Sequence, residues 1–214
     1  MNAVIFDMDG VLIDSERVVL EAFRYAGEKT GVPDAERMAI VGLGLNDTAW
    51  MKQLRAEFGK DADALLKYSE AYMDHFYETS AAPAKKGALT LLQTLRGWKV
   101  PLAVASSSQR SAVLSRLEKA AMLPYFDAVI AGDMIGRSKP EPDIFLAAAK
   151  ELGRPARECF VIEDSPSGLQ AGRAAGCHVL FVPDLWRPEQ DLPELYDERF
   201  KDLDQVRAYF ARLQ

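Results

Sequence analysis

Met1-Asn2-Ala3-Val4-Ile5-Phe6-Asp7-Met8-Asp9-Gly10-Val11-Leu12-Ile13-Asp14 opens the chain, and the reading of this stretch decides the fold. Ala3-Val4-Ile5-Phe6 is a short, mostly β-prone apolar run, the pattern of a strand buried on both faces. Two carboxylates, Asp7 and Asp9, follow it directly, with Gly10 behind them. In extended backbone, residues i and i+2 point to the same side, so both carboxylates can converge on one spot. Like charges that close are costly unless one holds a proton or a cation sits between them. Folding alone gives no reason for such a pair at the mouth of a buried strand. The plain alternative is a solvated turn, since Asp and Gly also favour turns.

Working outward, the next sixty-odd residues carry no strand pattern. Ser15 is placed to cap a helix running to about Thr30, with Gly31 as its stop. Val18, Ala22 and Tyr25 or Ala26 form one stripe of that helix. A second start is predicted at Pro33-Asp34, a break at Gly42-Leu43-Gly44, and further helices from Asn46 or Asp47 and from Asp61. The last of these carries Leu65, Tyr72 and Phe76 on one face. Gly42-Leu43-Gly44 is no dinucleotide signature, because the third glycine would fall at Asp47. Ser80 to Ala84 reads as a linker. Beyond it, strands are predicted at 100–105, 128–130, 160–162 and 179–182, alternating with helices, before a Pro- and Asp-rich tail and a last helix bearing Leu203, Val206, Phe210 and Leu213.

With Ala3–Phe6, five strands alternate with helices. The fold class is therefore α/β, a Rossmann-like parallel sheet with helices on both faces and an inserted α-helical cap. The domains follow as 1–15 with 81–214 for the core, and 16–80 for the cap.

The 214 residues suffice for a real core, and 49% hydrophobic with 27% charged is ordinary soluble composition. A net charge of −6 excludes a nucleic-acid partner that needs an excess of Lys and Arg, while leaving room for a small phosphorylated substrate. No apolar run reaches the ~20 residues of a membrane span. The opening lacks a basic region followed by an apolar stretch, so a cytoplasmic location is expected. Cys159 and Cys177 read as core, and His75 and His178 have no ligand-like spacing. Either a monomer or a homodimer is compatible with the sequence.

In an open parallel sheet, ligands bind beyond the carboxyl ends of the strands. The strands here end in Asp7 and Asp9; in Ser106, Ser107 and Ser108; a few residues on, in Ser138-Lys139-Pro140-Glu141-Pro142-Asp143; and in Glu163, Asp164 and Ser165. Singly, the serines and acids read as helix caps and first-turn charges, and Lys139 as a surface lysine. Collected at one edge, hydroxyls, an ammonium and four carboxylates suit phosphoryl transfer to a carboxylate nucleophile. An anionic phosphate monoester repels such a nucleophile, so charge must first be neutralised. Mg²⁺ prefers oxygen ligands. Asp7, Asp9 through its backbone carbonyl, and Asp164 are its candidate holders. Lys139 would hold a phosphate oxygen and keep Asp7 ionised, and Ser106 with the amides behind it would take another. Asp7 would attack phosphorus. Asp9 would protonate the leaving alcohol and then deprotonate the attacking water.

These motifs in this order resemble those of the haloacid dehalogenase superfamily phosphatases: Asp7-Met8-Asp9-Gly10-Val11, then Ser106, then Lys139-Pro140 with Pro142-Asp143, then Glu163-Asp164-Ser165 leading to Gly168. The resemblance covers nearly the whole chain. It implies Asp7 as nucleophile, Asp9 as acid and base, Ser106, Ser107 and Lys139 around the phosphate, and Asp7, Asp9, Glu163 and Asp164 around Mg²⁺. Glu163 would support the metal or one of its waters. The insertion is similar to the family's cap, a type that accompanies small soluble substrates, often sugar phosphates, and that opens and closes over the site. The nearest group is β-phosphoglucomutase-like, which contains mutases and phosphatases. The mutase carries a histidine where this chain has Val19, and an Arg-containing loop where this chain reads Val41-Gly42-Leu43-Gly44-Leu45-Asn46. The expectation is hydrolysis of a sugar or polyol phosphate, with the mutase as alternative. A haloacid dehalogenase would not need Asp9. A receiver-type module would place its Asp after a middle strand. A non-catalytic binding protein on the same scaffold is the remaining alternative.

Overall fold

The computed structural model describes residues 3–42, 47–185 and 192–213. In chain order its main elements are β1 (Ala3–Phe6), α1 (Ser15–Thr30), α2 (Arg37–Gly42), α3 (Asp47–Phe58), α4 (Ala62–Thr79), α5 (Ala88–Gly97), β2 (Leu102–Ser106), α6 (Arg110–Lys119), β3 (Ala128–Ala131), α7 (Asp143–Glu151), β4 (Cys159–Glu163), α8 (Pro166–Ala174), β5 (His178–Phe181), β6 (Glu198–Arg199) and α9 (Leu203–Arg212). They fall into two compact units, Met1–Ile13 with Pro83–Gln214, and Asp14–Ala82. The unit boundaries thus lie two residues outside the 16–80 read from the sequence.

The first unit is built on one six-stranded sheet of order β3-β2-β1-β4-β5-β6. Every pairing is parallel, with Ile5 opposite Ala103 on one side and Val161 on the other. The strands are apolar runs because helices cover both faces: all four residues of β1 and all five of β2 are buried. One side of the sheet packs Ile5, Ala103, Ala105 and Val161 with Ile144, Phe145 and Ala148 of α7. Cys159 and Cys177 are free and lie in that core. The order in which strands are added reverses between β1 and β4, which makes the crevice beyond their carboxyl ends the expected ligand position. Asp7 follows β1 directly, and β4 ends in Glu163.

The sixth strand, β6, is absent from the sequence reading. It is two exposed residues pairing with Leu180 and Phe181, too short to carry an apolar pattern.

Among its described residues, the second unit has helices and no strand. Phe23, Ala26, Ala35, Met38, Leu54, Ala62 and Leu65 form its core. Phe23 meets Trp50 edge to face at 5.7 Å, and the Trp50 indole donates to the Met38 carbonyl at 3.1 Å. Helix α1 stops as expected at Gly31, left-handed at φ 74°. Its start differs: Ser15 is already helical and Asp14 is the cap residue, paired with Arg17 at 2.7 Å instead of capping with its side chain. The predicted break at Gly42-Leu43-Gly44 falls mostly outside the described residues. Among the described residues, no helix is long and apolar enough to cross a membrane.

Candidate active site

Three ionisable side chains are brought together beneath the β1–β4 crevice. Asp7 is 6% exposed, and its backbone N–H is fixed by the Ile162 carbonyl at 3.0 Å. Lys139, from the loop ahead of α7, donates to Asp7 Oδ1 at 2.5 Å and to Glu163 Oε1 at 2.6 Å. Its third contact is the Ala105 carbonyl at 3.4 Å, and the ammonium lies 4.9 Å from the centre of the Phe145 ring. Glu163 is fully buried, and its other oxygen accepts from the amides of Asp164 and Ser165, both at 2.8 Å, and from the Ser165 hydroxyl at 3.0 Å. Gly168, in the first turn of α8, makes this possible: a Cβ there would strike the Glu163 carboxylate. Both oxygens of Glu163 are therefore taken by protein donors. One of them holds Lys139 in place.

Two buried carboxylates facing one ammonium leave a net negative charge. Burial pushes the Asp7 carboxyl up from 3.8 to about 8, against the pull of Lys139 and with the Glu163 and Asp9 charges adding to the rise. Burial also opposes the Lys139 ammonium, but Asp7 and Glu163 outweigh it and hold its pKa above the ordinary lysine value. Such a site is balanced either by a proton on Asp7 or by a cation.

The oxygen set beside it fits a cation. Asp164 is 4% exposed and lies against the turn after Asp9, where Gly10 has φ 80° and a Cβ would run into the Asp164 carboxylate. An oxygen of Asp184, from the end of β5, is within 4.8 Å of one of Asp164. Asp184 Oδ2 is buried without a hydrogen-bond partner, while Oδ1 accepts from Lys85 at 2.5 Å. An orphaned buried carboxylate oxygen beside Asp164 is what a hard, oxygen-seeking cation would satisfy. Asp7, Asp164 and the Asp9 carbonyl remain the candidate ligands. Asp184 is an acid that the sequence reading missed.

Asp9 turns toward β2 and α6. Its Oδ2 accepts from the hydroxyls of Ser106 at 3.3 Å and Ser108 at 3.2 Å, and its Oδ1 from Arg116 at 3.2 Å. Ser106 is buried and its Oγ also accepts from the Ser108 amide at 3.2 Å. Ser107, expected at the phosphate, is exposed, with its carbonyl packed against Gly132. The chain bends directly after β2, and that bend brings the Ser108 hydroxyl back beside that of Ser106. The basic pair Lys85-Lys86 is neutralised within the unit, by Asp184 and by Asp202 at 2.7 Å.

Residues 1–176 match the family described as "Hydrolase: haloacid dehalogenase-like hydrolase". Hexitol phosphatase A of Escherichia coli is 33% identical over 179 residues, covering 83% of this chain and 81% of that protein. The chloroplastic protein SUPPRESSOR OF QUENCHING 1 of Arabidopsis thaliana is 38% identical over 192 residues, 85% of this chain, but the match spans only 18% of that longer protein. Among solved structures, a HAD family hydrolase of Deinococcus radiodurans, with bound phosphate and sodium, superposes with a TM-score of 0.79 at 28% identity, over 99% of this chain and 96% of the other. A β-phosphoglucomutase of Clostridium difficile shares the fold at a TM-score of 0.73 and 20% identity, over 99% and 96% of the two chains. The sheet with helices on both faces defines a Rossmann-like parallel α/β fold. The chain belongs to the haloacid dehalogenase-like hydrolases, and it is a phosphatase of that family.

Proposed function

We propose that this phosphatase depends on Mg²⁺ and hydrolyses a small sugar or polyol phosphate through an aspartyl-phosphate. The observation that carries the reading is the buried Asp7–Lys139–Glu163 cluster at the ends of β1 and β4, with Asp9 and Ser106 beside it. Asp7, Asp164 and the Asp9 carbonyl would hold Mg²⁺, which supplies charge neutralisation at the phosphate and keeps Asp7 ionised.

The remaining steps belong to the chain's own groups. A carboxylate oxygen of Asp7 bonds to phosphorus as the bond from phosphorus to the leaving oxygen breaks. Asp9 gives its proton to that oxygen, so the alcohol departs neutral. Water then attacks phosphorus while Asp9 takes its proton, and the Asp7–phosphorus bond breaks to release phosphate and restore both carboxyls. Lys139 has two strong bonds to carboxylates and a third, at 3.4 Å, to the Ala105 carbonyl. That weak third N–H is the one available to a phosphate oxygen, with the Ser106 hydroxyl taking another.

Hydrolysis is favoured over phosphate transfer within a sugar because Val19, at the mutase's histidine position, is apolar and packs against the core of the helical unit. The polyol or sugar assignment draws on relatives such as hexitol phosphatase A and the fructose-1-phosphate phosphatase of Escherichia coli.

The test is phosphate release from a panel of phosphorylated sugars, polyols and nucleotides, with Mg²⁺ and with chelator. β-Glucose 1-phosphate is included, and glucose 6-phosphate is followed in parallel. Metal-dependent release from one sugar or polyol class, abolished in Asp7→Asn, is the expected result. Isomerisation without phosphate release would restore the mutase, and release unaffected by Asp7→Asn would overturn the nucleophile.

A further inference from the structure

Arg116 sits on α6, a helix whose other basic residues, Arg110 and Lys119, are exposed. Its own side chain is only 22% exposed, and it reaches back to Asp9 Oδ1 at 3.2 Å and to the Ser108 hydroxyl at 3.4 Å. Ser108 in turn donates to the other oxygen of Asp9. One guanidinium therefore grips a carboxylate and one of the two hydroxyls that orient it, so that both Asp9 oxygens are held from β2 and α6. Helix α6 is already anchored to the core through Val113 and Leu117, and a long cation pays rotamer entropy to be held inward. Arginine is suited to the task, because its donors form a rigid fork and it stays charged at every working pH.

We propose that Arg116 is a positioning residue for the acid and base of this reaction: it fixes the rotamer from which Asp9 serves the leaving oxygen and the attacking water. It does not touch the reacting atoms. The inference rests on the assignment of Asp9 given above. A sugar or polyol alkoxide is a poor leaving group that needs its proton on departure, and a donor displaced by about 1 Å can cost roughly 10²-fold in rate. A nitrophenolate leaves without protonation, so its departure is indifferent to where Asp9 points.

The experiment compares single-turnover release of the leaving group from a polyol phosphate and from p-nitrophenyl phosphate, in wild type, Arg116→Met, Asp9→Asn and the double variant. Arg116→Met is expected to slow release of the polyol roughly 10–100-fold and that of nitrophenolate less than about twofold, and to add less than about twofold to Asp9→Asn. Arg116→Lys, which keeps the charge but loses the fork, is expected to fall between. The ratio of the two rates on one preparation does not depend on how much of the variant is folded. Equal slowing of both substrates, or full multiplication of the two losses in the double variant, would overturn the inference. Asp9→Asn that leaves polyol release unchanged would instead overturn the assignment of Asp9 itself, and the inference with it.

Discussion

Asp7 is the group whose protonation the fold itself controls, and the consequence is measurable without any substrate. In the metal-free protein, burial raises its pKa from 3.8 to about 8. In the unfolded chain it titrates near the ordinary aspartate value, about 3.9. Between the two the folded state binds one proton more than the unfolded state. The stability contributed by that proton is complete below the unfolded value and is lost as pH rises through the folded value. The slope is about 1.4 kcal/mol per pH unit, so the loss from about pH 5 to about pH 8 amounts to about 4 kcal/mol. Asp7→Asn keeps the side chain's shape and removes the titration. Urea unfolding of both proteins in chelator, across that range, isolates the effect as the difference between them, since the other groups cancel. The difference should fall by about 4 kcal/mol from pH 5 to pH 8 and level off above. Parallel curves would refute the reasoning, because they would mean that Lys139 keeps Asp7 ionised across the whole range. Saturating Mg²⁺ should flatten the wild-type curve, because a cation then takes the place of the proton.

Two further perturbations probe the frame around Asp7. Lys139→Met leaves Asp7 and Glu163 facing each other in a buried space, at a cost of about 3–5 kcal/mol in urea unfolding together with lost turnover; a change under about 1 kcal/mol would show that the cluster is not held by its ammonium. Gly168→Ala drives a methyl into the Glu163 carboxylate and should cost about 1–3 kcal/mol, whereas Gly97→Ala, with no atom within 4 Å of the added carbon, should be neutral or slightly stabilising. Equal effects of the two glycine changes would sink the argument from close approach.

What was legible in the sequence follows from locality. Buried parallel strands are apolar runs, so β1 to β5 announce themselves, and a rule about strand ends then leads to Asp7, Asp9, Ser106, Glu163 and Asp164 without any knowledge of contacts. The same rule, carried one strand further past Phe181, leads to Asp184, whose buried oxygen was therefore within reach of the sequence. Three things were not. Which of three consecutive serines turns inward depends on the backbone after β2, and the run reads the same in either register. The duty of Glu163 depends on how many donors crowd its two oxygens, and those donors come from Lys139 and from a helix start that only Gly168 lets approach. Arg116 lies mid-helix, with Asp9 more than a hundred residues away in the chain, where no periodicity marks it. The residues a strand end supplies can be read from the sequence. The residues that aim them are set by side-chain reach across the sheet edge, and only the structure carries that. Arg116 therefore makes the sharper test of the site: a strand-end aspartate can sit at the right position for reasons of descent alone, whereas an arginine drawn in from α6 to hold Asp9 has a purpose only if Asp9 must point one way.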